Sequence, residues 1–193
     1  MKTQAYQQRL SQTELNEAMQ LRRQHLFALL AQLDQQIIEL ETWLQKQAAP
    51  NDQVKLLLTQ RGVGYLTSLA VVHTLGDVKR FTSTRQITAF VGLDPLEQSS
   101  GGKQKFGAIS KAGSPLTRFL LGQSANIASR FDPYFKSFYK RLAKKKPKAV
   151  AKTATARKLL VKLSIMLRDQ ITAQEFEERG RTLDDARRFQ GLK

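Results

Sequence analysis

One stretch of the 193-residue sequence holds the ingredients of a phosphate-cutting site: Ser99-Ser100-Gly101-Gly102-Lys103. Gly101 and Gly102 can turn their backbone N–H groups toward an anion. Lys103, Lys105, Lys111 and Arg118 add positive charge nearby. A serine hydroxyl beside a phosphate whose non-bridging oxygens are held by donors is placed for in-line attack. The same residues equally describe a plain Ser/Gly turn joining two helices. No base is near in sequence. His25 lies in the N-terminal helical segment and His73 inside a helix, so a Ser-His-Asp triad is not expected.

Composition narrows the chemistry further. There is no Cys, which excludes disulfides and thiolate metal sites, and two His cannot build a His-rich site. No metal residue is therefore expected in the chain. No run approaches the ~20 apolar residues of a membrane span. Lys2 is followed by polar residues rather than an apolar signal core. The expectation is a cytoplasmic protein with no membrane partner.

The net charge of +16 is concentrated in one block. Residues 99–170 hold seventeen Lys/Arg against two Asp/Glu, while residues 1–50 and 171–193 are each balanced at five and five. Such a block can neutralise phosphates and release their counterions. Lys140, Lys144, Lys145, Lys146 and Lys148 form its densest run, around Pro147. A solvated basic surface is the alternative.

These residues must be carried by helices. Met19, Leu26, Leu33 and Leu40 recur every seven positions, interleaved with Leu30, Ile37 and Leu44 and interrupted by Arg23. With no Gly or Pro before Pro50, this predicts one long helical arm over 1–49. The narrow stripe fits pairing with another helix, either in a homodimer or in an antiparallel hairpin within the chain. Asp52 is the expected cap of a short helix through Leu58. Gly62-Val63-Gly64 then precedes an apolar run. That pattern fits a helix-hairpin-helix, in which Gly62 and Gly64 let a phosphate approach a helix N-terminus, and it equally fits an ordinary αα turn. Ser83 or Thr84, Ser114-Pro115 and Asp132-Pro133 read as helix starts. A short β-hairpin is expected around 96–110. The fold class is mainly α: an arm over 1–49, a helical domain over 50–172 and a charged peripheral tail over 173–193.

The order of several of these segments resembles a known family. The segments are Gly62-Val63-Gly64, Gly76-Asp77-Val78-Lys79-Arg80-Phe81, Ala89-Phe90-Val91-Gly92-Leu93-Asp94-Pro95, the Ser99–Lys103 loop, Ile109-Ser110-Lys111-Ala112-Gly113 and Arg118. Together they resemble the C-terminal transposase domain of the DEDD-type insertion-sequence transposases related to the Piv DNA invertase, the bridge-RNA-guided recombinases. The resemblance covers about residues 52–170, and the arm resembles the coiled coil linking that family's two domains. It implies a serine nucleophile at Ser100, with Ser99 as rival, attacking the DNA backbone to form a phosphoserine link. It also implies double-stranded DNA and a structured guide RNA as partners, a bacterial nucleoid-associated location, and Mg²⁺ held by four acidic residues of a RuvC-like domain. This chain matches no such acidic cluster, so the resemblance implies an enzyme that is incomplete alone. Arg61-Gly62 and Gly113-Ser114 depart from the family's usual Pro-Gly and Gly-Asn or Gly-Asp. The competing expectations are a non-catalytic nucleic-acid-binding or regulatory fragment that dimerises with a full-length transposase, and a basic protein that coats RNA.

Overall fold

The computed structural model describes residues 2–97 and 106–180. The chain is mainly α, with one two-stranded antiparallel sheet among the described residues. It divides into two compact units, Met1–Trp43 and Leu44–Lys193.

The first unit contains α1 (Lys2–Ser11) and most of α2 (Glu17–Ala48). The expected single helix is broken at residues 12–16, and the reason lies in two polar side chains. Asn16 Oδ1 accepts the Met19 N–H at 2.9 Å, an asparagine cap that starts α2. Arg23, the residue that interrupts the apolar seam, donates to the carbonyls of Leu10 at 2.6 Å and Thr13 at 3.0 Å. Its guanidinium thus satisfies carbonyls that the end of α1 leaves free. The seam residues Met19, Leu26, Leu30, Leu33, Ile37 and Leu40 are all 41–62% exposed. An intramolecular hairpin that buries this stripe is not what forms.

The second unit begins with α3 (Asp52–Leu58) and α4 (Tyr65–Leu75), followed by a 3₁₀ turn at Val78–Arg80 and α5 (Thr84–Val91). Strands β1 (Pro95–Glu97) and β2 (Phe106–Ile109) follow, then α6 (Pro115–Phe131), α7 (Pro133–Ala143) and α8 (Lys148–Asp169). Side-chain caps set most starts. Ser83, Ser114 and Asp132 accept N–H groups two or three residues ahead, with Pro115 and Pro133 opening their helices. The cap of α3 is Asn51 rather than Asp52. Asn51 Oδ1 accepts from Val54 N, and Asp52 instead sits in the first turn, paired with Lys55 at 2.7 Å.

Helix α8 is the hub. It packs against α6, α7, α5 and α3, and Leu159, Leu160, Leu163 and Met166 are fully buried. Each such side chain contributes about 1.5–3 kcal/mol of burial. Val150, on the first turn of α8, is 51% exposed, while the neighbouring Ala151 is fully buried. Asp132 ties the layers together. One carboxylate oxygen caps α7 and the other accepts from Gln60 Nε2 at 2.8 Å, both groups being buried.

The segment expected to be a peripheral tail starts packed. Residues 173–180 are helical. Thr172 and Glu175 exchange bonds in a capping box: Thr172 N–H donates to Glu175 at 2.6 Å, and Glu175 N–H donates to the Thr172 hydroxyl at 3.3 Å. Ala173 is buried, and its N–H donates to Thr59 Oγ1. Glu177 pairs with Lys162 at 2.9 Å, a lysine only 2% exposed and flanked by Phe135 and Phe176.

Candidate nucleic-acid interface

The serine segment lies in sequence between β1 and β2. Ser99 and Ser100, with Gly101, Gly102, Lys103 and Lys105, lie outside the described residues. Their mount is well defined. Pro95 pairs with Ile109 and Glu97 with Phe106, with a register irregularity between them. Beneath the strands, Asp94 accepts from the Ser110 hydroxyl at 2.5 Å and from the Ser110 N–H through its own carbonyl at 2.9 Å. Lys111 adopts φ +57°, and its N–H reaches Gly92 O at 3.1 Å.

Two glycines make this mount possible. At Gly92, φ is +76°, and a Cβ there would stand 2.5 Å from Ala112 N. At Gly113 a Cβ would stand 2.2 Å from Phe90 O. The end of α5 and the turn after β2 therefore cross backbone to backbone, a separation only glycine permits. Arg118 locks the crossing: its Nη1 donates to Val91 O at 3.1 Å and Gly113 O at 2.5 Å. It is half-buried, and its Nη1 clamps two carbonyls. Lys111 stays exposed at the same crossing.

Gly62 is likewise explained by packing. Its φ is +91°, and a Cβ would meet Ala128 N at 2.8 Å and Ser124 O at 3.0 Å. The close approach it allows is to α6. Gly64 differs: nothing lies within 4 Å of its would-be Cβ, and it caps α4 with no side-chain bond.

The basic residues divide into two groups. Lys144, Lys145, Lys146 and Lys148 are exposed on the turn into α8. That turn comes to the base of the hairpin: Lys146, Pro147 and Val150 share a cleft of about 910 Å³ with Pro95, Glu97 and Gly107. Asp94, Arg85 and Arg157 complete it, and the two arginines were missed in the sequence. The signal for Arg157 was present: Val150, Thr153, Ala154 and Arg157 form one face of α8, with the buried Ala151, Thr155 and Leu159 on another. Lys140 is elsewhere, in a hollow of about 450 Å³ between α6 and α7 with Arg130, Lys136 and Tyr139.

Within residues 99–170 little opposes this charge, although Asp94 and Glu97 line the cleft itself. Of the two acids in residues 99–170, Asp132 is buried as a cap. Asp169 is held below the usual aspartate value by hydrogen bonds from Arg168 and Arg179. The described residues contain no group of three or more His, Cys, Asp or Glu able to hold a metal ion, and no helix long and apolar enough to cross a membrane.

Comparison with known proteins adds to this geometry. Residues 54–140 match the model of the transposase IS116/IS110/IS902 family. The transposase for insertion sequence element IS1111A of Coxiella burnetii is 37% identical over 105 residues, covering 54% of this chain and 29% of that protein. A probable family 20 transposase of Pseudomonas aeruginosa is 35% identical over 101 residues, 52% of this chain and 30% of its own length. The transposase for insertion sequence element IS1328 of Yersinia enterocolitica is 38% identical over 95 residues, 49% and 28% of the two chains. The chain thus spans less than a third of the length of these relatives.

Proposed function

We propose that the chain is the nucleic-acid-binding part of a bacterial insertion-sequence transposase and carries the serine that breaks and rejoins DNA. The observation that supports it most is the cationic turn and cleft set against the hairpin on which the serines are mounted, within residues that match transposases. Ser100 is the nucleophile, with Ser99 as its rival. In the step, the serine Oγ forms a bond to phosphorus and a P–O bond to a deoxyribose oxygen breaks. The hydroxyl proton passes to a base supplied by the complementing domain, the leaving sugar oxygen takes up a proton, and a sugar hydroxyl freed on another strand later attacks the same phosphorus, breaking the serine O–P bond and restoring the serine hydroxyl. Lys103, Lys105 and Lys111 with the N–H groups of Gly101 and Gly102 offset charge on the pentacoordinate phosphorus.

Binding would engage duplex DNA and a structured guide RNA through Gly64, Lys140, Lys144, Lys145, Lys146 and Lys148. The exposed seam of α2 would bury itself in a homodimer. Mg²⁺ would belong to a RuvC-like domain outside this chain.

The test is reconstitution with a matching RuvC-like half, Mg²⁺ and guide RNA, scoring a protein–DNA adduct. Ser100→Ala should abolish the adduct with DNA affinity unchanged, since no charge is lost. An adduct that survives Ser100→Ala but not Ser99→Ala moves the nucleophile by one residue. Salt-sensitive binding without any adduct in an active complex leaves a regulatory nucleic-acid-binding fragment.

A further inference from the structure

The cationic cleft at the hairpin base has an apolar neighbour. A slot of about 400 Å³ lies between the hairpin and the first turns of α8, walled by Leu93, Ile109, Ala149, Val150 and Ala154. Pro95, Gly107, Val150 and Arg157 line both spaces, so Arg157 stands at their junction. A volume of this size falls within the range of small-molecule sites. The polar side sets three cations, Arg85, Lys146 and Arg157, against two carboxylates, Asp94 and Glu97, and among the described residues those three cationic side chains have no hydrogen bond, ion pair or ring contact. Asp94, by contrast, is engaged by Ser110.

We infer that this double space takes one unstacked nucleotide of a DNA strand, its phosphate on Arg157, Arg85 and Lys146 and its base in the apolar slot. The inference rests on the proposed function, since the strand is the one running to the serine hairpin. Three observations converge on it. The slot is apolar and walled by small and aliphatic side chains, matching the faces of a base rather than a charged group. The adjoining cleft offers three unpaired cations, which suit a phosphodiester, and its continuity with the apolar slot is what favours a nucleotide over a purely acidic ligand. The wall shared by both sits on the mount of the serine loop, so a base drawn into the slot fixes the neighbouring backbone relative to that loop. Removing a nucleotide from its stack costs a few kcal/mol, and a slot that buries the base offsets part of that cost.

The test uses the full chain and two fluorescein-labelled single strands of twelve nucleotides, one of thymidylate and one abasic with the same phosphates. The wild type should bind the base-bearing strand about tenfold more tightly, the worth of burying part of one base. Arg157→Gln should weaken binding to both strands and lower the slope of log K against log salt by about 0.7, one phosphate of single-stranded DNA. Ala154→Leu fills the slot with a helix-compatible side chain and should erase the preference for bases without changing the slope. Ala149→Leu, nearer the solvent, does the same should the first variant fail to fold. Equal binding of the two strands by the wild type, or a preference that survives both leucine variants, overturns the inference while leaving the proposed function intact. Salt-insensitive binding, or none, by the wild type sinks both.

Discussion

Replacing Gly113 with Ala tests the crossing that supports the serine loop. The new Cβ would lie 2.2 Å from Phe90 O and 2.8 Å from two atoms of Val91, all backbone, so no side chain can swing aside. Restoring even a 3.0 Å contact requires the end of α5 and the turn to part by about 0.8 Å. Overpacking of this kind costs about 1–3 kcal/mol. The same separation strains the paired bonds of Arg118 to Val91 O and Gly113 O, and losing one charged bond adds about 1.5–3 kcal/mol. The expected total is about 4 kcal/mol, a fall in Tm of roughly 8–16 °C for a chain of this size. Gly122 in α6 is the internal control, with nothing within 4 Å of its would-be Cβ. Gly122→Ala should raise stability by about 0.5–1 kcal/mol through helix propensity alone. Thermal and urea unfolding followed by circular dichroism measure both. If Gly113→Ala melts within about 2 °C of the wild type, the backbone crossing is not the support described here.

Leu33→Asp combined with Leu40→Asp should reduce the sedimenting mass to that of one chain, with the helical domain still folded; an unchanged mass refutes pairing through α2. Arg118→Met should lower Tm by several degrees yet leave the affinity for duplex DNA within about twofold, because its guanidinium is committed to Val91 O and Gly113 O; a large loss of affinity at unchanged stability restores it to the phosphate contacts. Neutralising Lys144, Lys145 and Lys146 together should flatten the salt slope for duplex DNA by about 2.7 units across all sequences. Acid should loosen the packed C-terminal helix. The carboxyls of Asp169 and Glu175 lie below their ordinary values of 3.8 and 4.5, through bonds from Arg168 and Arg179 in one case and from Thr172 in the other. Groups with depressed values stabilise above their unfolded values, and that contribution fades as pH falls through the folded ones. The Ala173 amide, observed by NMR, should therefore keep its native shift at pH 6 and begin to lose it only as the pH falls below the ordinary values of 4.5 and 3.8; loss already complete above those values, or none however acidic the solution, removes these bonds from the account.

The sequence by itself determined what local chemistry controls. Ser83, Ser114-Pro115 and Asp132-Pro133 mark helix starts because a cap needs only a short polar side chain and the two or three N–H groups ahead of it. The hairpin near 96–110 and the concentration of charge were legible for the same reason. Local reading also left signals unused. Thr172-Ala173-Gln174-Glu175 is a capping box in plain sight, and Asn16 begins α2. Tertiary structure alone decided what depends on residues far apart in the chain. Gly62 fitted a phosphate-binding hairpin and an ordinary αα turn equally in the sequence, and only the fold showed α6, some sixty residues on, filling the space beside it. Arg118 looked free until the carbonyls of Val91 and Gly113 met at its guanidinium. Arg85 and Arg157 carry no motif, and they share a cleft only because α5, the hairpin and α8 converge there. A side chain's type fixes what it can bind, but its partner is chosen by backbones that packing brings within a few ångströms.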